Sequence, residues 1–230
     1  MSDFLNSSSY FGVTVCIIGY ALGVFLKKKL KLGLLNPLLV SIIFAILVIR
    51  IFGVDYENFS QSAKCLSYLL TPATVCLAVP LYQQLSILKQ HFSAVLLGIL
   101  AGVFSSLGSV LGMAALFGLD HTYYVTLLPK SITTAIGIGL SEELGGIPTI
   151  TVAVIVVTGI LGNVIGERIC RLFHIEEPVA VGLAFGTSSH AIGTSKALEL
   201  GEIQGAMSSL SIAVSGLLTV IGASVFTNFL

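Results

Sequence analysis

Eight apolar runs, at about 9–26, 35–52, 65–82, 92–117, 122–140, 148–166, 178–200 and 206–229, occupy most of the 230 residues. Most are long enough to cross a hydrocarbon core, which takes roughly 20 apolar residues in a helix. They lack the strict alternation of a membrane barrel strand. The expected fold class is therefore all-α, a polytopic membrane protein. Only 10% of the residues are charged and 55% are hydrophobic. A soluble domain carries about 25% charge to cover its core, so soluble enzymes, nucleic-acid-binding modules and disordered chains are excluded. Equal numbers of basic and acidic residues, 11 of each, give no field that would attract nucleic acid. The partner implied by composition is the lipid bilayer.

The last four runs begin about 113 residues after the first four, which suggests two membrane repeats, 1–118 and 119–230, in one integrated domain. Lys27, Lys28, Lys29 and Lys31 follow the first run and place that loop in the cytoplasm. If every later run crossed, Arg168 and Arg171 would fall outside. A re-entrant third run returns them to the cytoplasm. That run contains Pro72 and Pro80, and its counterpart at 178–200 contains Gly186 and Gly193. Three crossings plus one broken segment per repeat make two inverted repeats, the arrangement of many secondary transporters. Broken segments that cross as two half-helices satisfy the pattern as well.

Polar residues at membrane depth mark candidate sites, because irregular backbone there is tolerated only where it is buried in protein or lines a cavity. Three stretches qualify. In 127–134, Lys130 stands inside an apolar run with Pro129, Ser131, Thr133 and Thr134. At helical spacing Lys130, Thr133 and Thr134 share a face. A cation, hydroxyls and free backbone groups at the proline break suit a carboxylate. The other reading has Lys130 snorkelling to an interface marked by Tyr123 and Tyr124. In 186–196, Thr187, Ser188, Ser189, His190, Gly193 and Thr194 suit an unwound segment with exposed backbone N–H groups. His190 is either a proton relay or a neutral imidazole bonded to a neighbouring helix. Lys196 reads as an anchor at the cytoplasmic surface. The third stretch is Thr71–Pro72–Ala73–Thr74, a kinked helix or a counterpart of 186–196.

Other chemistry is not encoded. No Asp or Glu lies mid-span, which argues against a carboxylate-based cation antiporter. No phosphate-binding loop, metal-ligand spacing or hydrolytic triad is present. No enzymatic activity, catalytic residue, metal site or cofactor is therefore expected. Cys16, Cys65, Cys76 and Cys170 read as small packing residues. Asn163 and Glu167, four residues apart, are expected to make a polar contact between helices.

The stretches LLNPLLV (34–40), PATVCLAVPLY (72–82), LLPKSITTAIGIGLSEELGGIP (127–148) and GTSSHAIGTSKALEL (186–200) resemble the LrgB/CidB family in the same order along essentially the whole chain. The ending of 141–146 is more similar to the CidB branch. The resemblance implies a multi-pass protein of a bacterial plasma membrane, working with a CidA/LrgA-type membrane partner. It also implies one of two roles: a holin/antiholin-like regulator of murein hydrolase export and cell lysis, or a transporter of small carboxylates such as pyruvate, glycolate or glycerate. With the polar segments, the expected function is secondary transport of small monocarboxylates, linked to protons through His190. The alternative is the holin/antiholin-like role. A homo-oligomer, most simply a dimer, is expected.

Overall fold

In the computed structural model, residues 8–30, 36–69, 72, 75–76 and 78–230 are described. The described residues form helices and connecting turns, with no strand among them. Two compact units divide the chain, Met1–Cys76 and Leu77–Leu230. Compactness and repetition are different properties, so this division at 76/77 and the sequence repeat at 118/119 need not coincide.

The first unit holds α1 (Phe11–Leu30), α2 (Pro37–Phe52), α3 (Tyr56–Ser62) and α4 (Lys64–Tyr68). Asn36 caps α2, accepting from Leu38 N at 2.8 Å, and Pro37 takes the first helical position. Helices α1 and α2 pack antiparallel. A Cβ on Gly19 would lie 3.0 Å from Ser41 Oγ, and one on Gly23 would lie 2.6 Å from Pro37 Cα. Of the third apolar run, 65–68 lie in α4 and 78–82 in a helix of the second unit. Thr71 and Thr74 lie outside the described residues.

The second unit holds α5 (Ala78–Gln83), α6 (Leu85–Gln90), α7 (Phe92–Phe117), α8 (His121–Leu127), α9 (Thr134–Glu143), α10 (Pro148–Leu172), α11 (Pro178–Leu200) and α12 (Glu202–Phe226), ending in a 3-10 turn, Thr227–Phe229. Helices α7 and α10 and the α12 region are long and apolar enough to cross a membrane, as is α1. At about 1.5 Å per residue the 26 residues of α7 reach roughly 39 Å, more than a hydrocarbon core of roughly 30 Å.

Helix α11 does not cross. His190 has φ 42 and ψ −140, which breaks the helix, and the chain doubles back there. Before the break, α11 runs antiparallel to α10, since Phe185 faces Gly166 and Ser189 faces Gly162. After the break it runs parallel to α10, since Asn163 bonds Ile192 and Ser195 while Glu167 bonds Lys196. Helix α12 gives the same result. Gly182 and Gly186 meet Gln204 and Ser208 in parallel order, whereas Leu198 and Thr194 meet Gly205 and Ser208 in antiparallel order. Val181, from the first arm, and Ala197, from the second, share one apolar cluster with Phe185 and Cys170. The segment 178–200 is thus a re-entrant hairpin with its tip at His190.

The fifth apolar run also departs from the expected continuous crossing. Helix α8 ends at Leu127 and α9 starts at Thr134. Pro129 has no N–H to donate to the carbonyl one turn back, which favours a break at this point. Thr151 Oγ1 of α10 donates to the Thr126 carbonyl (2.9 Å) and shares a hydrogen bond with Ser141 Oγ (2.7 Å). Thr126 and Ser141 therefore sit at one level, and 121–143 is a second hairpin, its tip at 128–133. Lys130, Thr133 and Thr134 do not share a helical face, because the helix is interrupted between the first and the last of them.

The two hairpins enter from opposite ends of the unit. The α8–α9 hairpin starts beside the end of α12, where Tyr124 Oη donates to the Phe226 carbonyl (2.8 Å). The α11 hairpin starts and ends beside the beginning of α12. Hairpin α8–α9 followed by α10, and hairpin α11 followed by α12, form an inverted pair inside residues 121–226. Arg168 and Arg171 lie at the end where α10 finishes and α11 begins. Asp120, Glu142 and Glu143 lie at the other end. The positive-inside rule makes the arginine end cytoplasmic.

Candidate functional site

Both hairpin tips stop halfway through the unit. Ser131 Oγ of the α8–α9 tip lies 2.9 Å from Ser106 Oγ, and Ser106 stands fourteen residues after Phe92 and eleven before Phe117 in α7. The His190 tip faces Gly159, eleven residues after Pro148 and thirteen before Leu172 in α10. Glycine is required at that approach. A Cβ on Gly159 would lie 2.7 Å from His190 Cε1, and one on Gly162 would overlap Ser189 Oγ. Close backbone approach at small residues is the usual means of packing helices in a bilayer.

A cavity of about 910 Å³ lies between α7, α10, the first arm of α11 and the α8–α9 tip. Its inner end carries Ser105, Ser106 and Ser109 from α7, Lys130 and Ser131 from the tip, Thr158 from α10, and Ser188 and Ser189 from α11. From there it extends toward the arginine end, where His91, Cys170 and Glu177 line it. Glu177 also caps α11, accepting from Ala180 N at 2.8 Å.

Lys130 Nζ donates to Ser131 Oγ at 3.1 Å. This contact holds the ammonium at the level of Ser106, mid-depth, rather than at the interface near Tyr123. Lys130 forms no ion pair among the described residues. One N–H on Nζ is used by Ser131, and two are left for the cavity. The Ser106–Ser131 bond consumes one hydroxyl hydrogen of the pair, so one O–H also remains. Across the cavity, Ser188 Oγ donates to the Ala184 carbonyl at 2.7 Å and lies 2.9 Å from Ser189 Oγ. The wall around Lys130 therefore has surplus donors and, once the lysine is protonated, a positive charge, which is what a carboxylate needs.

Five of the residues singled out in the sequence line this cavity: Lys130, Ser131, Thr187, Ser188 and Ser189. Thr187 Oγ1 also donates to the Leu183 carbonyl at 2.8 Å. The other described candidates stand outside the lining. Thr133 is the residue before α9, and Thr134 opens it. Thr194 Oγ1 donates to the His190 carbonyl (3.0 Å) and lies 2.7 Å from Ser208 Oγ, tying the hairpin to α12. Gly193 lets the two arms close, since a Cβ there would lie 2.6 Å from Ser189 Cβ. His190 is 3% exposed, and its Nε2–H donates to the Ile155 carbonyl at 2.9 Å. That is the imidazole bonded to a neighbouring helix, and it places His190 away from the cavity. Lys196 is paired with Glu167 at 3.1 Å and Glu199 at 3.4 Å, and Glu167 also pairs with Arg171. These residues fasten the second arm of the hairpin to α10.

The serines of α7 are missing from the sequence reading. Their signal is the Ser105–Ser106 pair followed by Ser109 in the middle of an otherwise apolar 26-residue helix.

Residues 16–229 match the family model described as the LrgB-like family. The antiholin-like protein LrgB of Bacillus mycoides (strain KBAB4) is 34% identical over 222 residues, 96% of each chain. Those of Bacillus cereus (strain B4264) and Bacillus anthracis (strain CDC 684 / NRRL 3495) match to the same extent. No solved structure matches the chain. The family match over nearly its full length, together with its apolar spans, makes this chain a multi-pass plasma-membrane protein that belongs to the LrgB-like family.

Proposed function

We propose that the protein is a secondary transporter of small monocarboxylates, of the size of pyruvate, glycolate or lactate, and not an enzyme. The observation that carries this reading is the meeting of two oppositely entering hairpins at one cavity whose inner end holds Lys130, a lysine with no ion pair among the described residues. Discontinuous helices at the midplane are the usual binding apparatus of secondary transporters. One cation in a ring of hydroxyls neutralises one carboxylate, and a dicarboxylate would leave a charge uncompensated at depth. Ligand pockets are roughly 300–1,000 Å³, so a small acid fills only the inner end of this cavity. Transport is linked to protons, and a CidA/LrgA-type membrane protein and a second copy of the chain are the expected partners. Uptake of labelled pyruvate, glycolate and lactate into proteoliposomes, with and without such a partner, is the test. Selective uptake that K130A abolishes is expected. No uptake of any of the three by the wild type under either condition sinks the reading.

The names of the relatives favour a second reading, an antiholin-like role in the membrane. A pore that admits large solutes releases an entrapped dye from liposomes without selective uptake. A transporter does the reverse.

A further inference from the structure

We infer that Lys130 is the proton carrier of this transporter, its side chain taking up one proton with each carboxylate bound. The inference rests on the transport reading above and replaces His190 as the coupling residue.

The argument begins from which titratable groups reach the cavity. Four line it: His91 from α7, Lys130 from the α8–α9 tip, Cys170 from α10 and Glu177 from α11. Three of these belong to the mouth. His91 precedes the first residue of α7, fifteen positions before Ser106. Glu177 precedes the first residue of α11, and Cys170 is in the last turn of α10. Fifteen helical residues amount to roughly 22 Å. The other groups facing the inner end are serine and threonine hydroxyls of α7, α10, α11 and the α8–α9 tip, which do not titrate in this range. His190 is turned to the Ile155 carbonyl. Lys130 is thus the titratable group at the inner end, and among the described residues its polar partner is the neutral Ser131.

An ammonium at membrane depth without a counter-ion is costly. A carboxylate bound beside it removes that cost. Occupation of the site by carboxylate and protonation of the amine are therefore linked, and by thermodynamic necessity each favours the other. The step balances simply. The neutral amine accepts one proton from cavity water, forming one N–H bond, and the carboxylate pairs with the ammonium. The pair crosses with no net charge. On the far side the carboxylate leaves, and the ammonium returns its proton to water. One proton moves with each carboxylate, and no charge moves.

The test uses proteoliposomes with a pH-sensitive dye inside and labelled pyruvate, glycolate and lactate outside. For the wild type, a proton gradient drives accumulation, the lumen acidifies by one proton per anion, and an imposed membrane potential has no effect. Arginine keeps its proton throughout. K130R is therefore expected to exchange labelled for unlabelled anion while losing gradient-driven accumulation by tenfold or more. H190Q is expected to keep the wild-type stoichiometry. Acidification by K130R at the wild-type ratio overturns the inference. A second measurement does not depend on any variant: unbuffered purified wild type should take up close to one proton per pyruvate bound at alkaline pH, and binding without proton uptake overturns the inference equally. Absence of both exchange and uptake in the wild type is a different result, since it removes the transport reading itself.

Discussion

Ser106 of α7 and Ser131 of the α8–α9 tip face each other with their hydroxyl oxygens 2.9 Å apart, and the same Ser131 oxygen receives the Lys130 ammonium at 3.1 Å. The pair positions a lysine that has no carboxylate beside it among the described residues. S106A removes one bond between neutral groups, worth about 0.6 kcal/mol on average inside a bilayer. Stability should change by no more than about 1 kcal/mol. The effect on transport should be larger, because the lysine loses the support of its anchor. We expect KM for the carboxylate to rise about fivefold, the equivalent of about 1 kcal/mol, with the amount of folded protein unchanged. Uptake kinetics and a thermal melt of the purified protein separate the two.

The approach of Ser189 to Gly162 sets how deeply the α11 hairpin inserts. A Cβ on Gly162 would overlap Ser189 Oγ and lie 2.5 Å from Ser189 Cβ. G162A should therefore destabilise by about 1–3 kcal/mol, the usual cost of overpacking. S189G takes away both clashing atoms, and the double variant should recover most of the loss. A double-mutant cycle by thermal or denaturant unfolding measures the coupling. Additive effects would mean that the two positions do not meet.

Much of this arrangement is legible in the sequence, and what is not has a physical reason. The long crossings α1, α7, α10 and α12 declare themselves because the bilayer demands an unbroken apolar stretch. The re-entrance of 178–200 is suggested by Gly186 and Gly193 and by its correspondence with the proline-broken third run. The α8–α9 hairpin is harder to see. Its two apolar arms are contiguous in sequence and imitate one crossing, and Pro129 is the single mark of the break. A proline alone is compatible with a kinked crossing helix. The serines of α7 are hidden for another reason. Ser109 Oγ donates to the Ser106 carbonyl at 2.8 Å, so a serine can satisfy itself within an apolar helix and leave hydropathy almost unchanged. Thr133 and Thr134 carry the opposite lesson, for a helical face exists only where the helix is continuous.

His190 combines a positive φ of 42° with a hydrogen bond to the Ile155 carbonyl. A non-glycine residue in such backbone costs of order 1–3 kcal/mol, and the imidazole bond offsets part of it. Alanine keeps the strain and loses the bond. Glycine loses the bond and relieves the strain. H190G should therefore be more stable than H190A by about 1–3 kcal/mol, as read from unfolding midpoints. Equal stabilities would mean that the turn at 190 is not strained.

The opposite entry of the two hairpins makes a topological prediction that requires no knowledge of substrate. If α11 doubles back at His190, the residues flanking it emerge on the same side. With Cys16, Cys65, Cys76 and Cys170 replaced by alanine, single cysteines at Glu176 and Gly201 should react from the cytoplasmic face with an impermeant maleimide. Cysteines at Asp120 and Gly145, which flank the α8–α9 hairpin, should both react from the opposite face. A continuous crossing at 178–200 would separate Glu176 from Gly201, and a continuous crossing at 121–143 would separate Asp120 from Gly145. Either separation would break the inverted pair, and with it the geometry that brings Lys130 and Ser189 to one cavity. Labelling in intact cells, compared with inverted vesicles, reads all four positions directly.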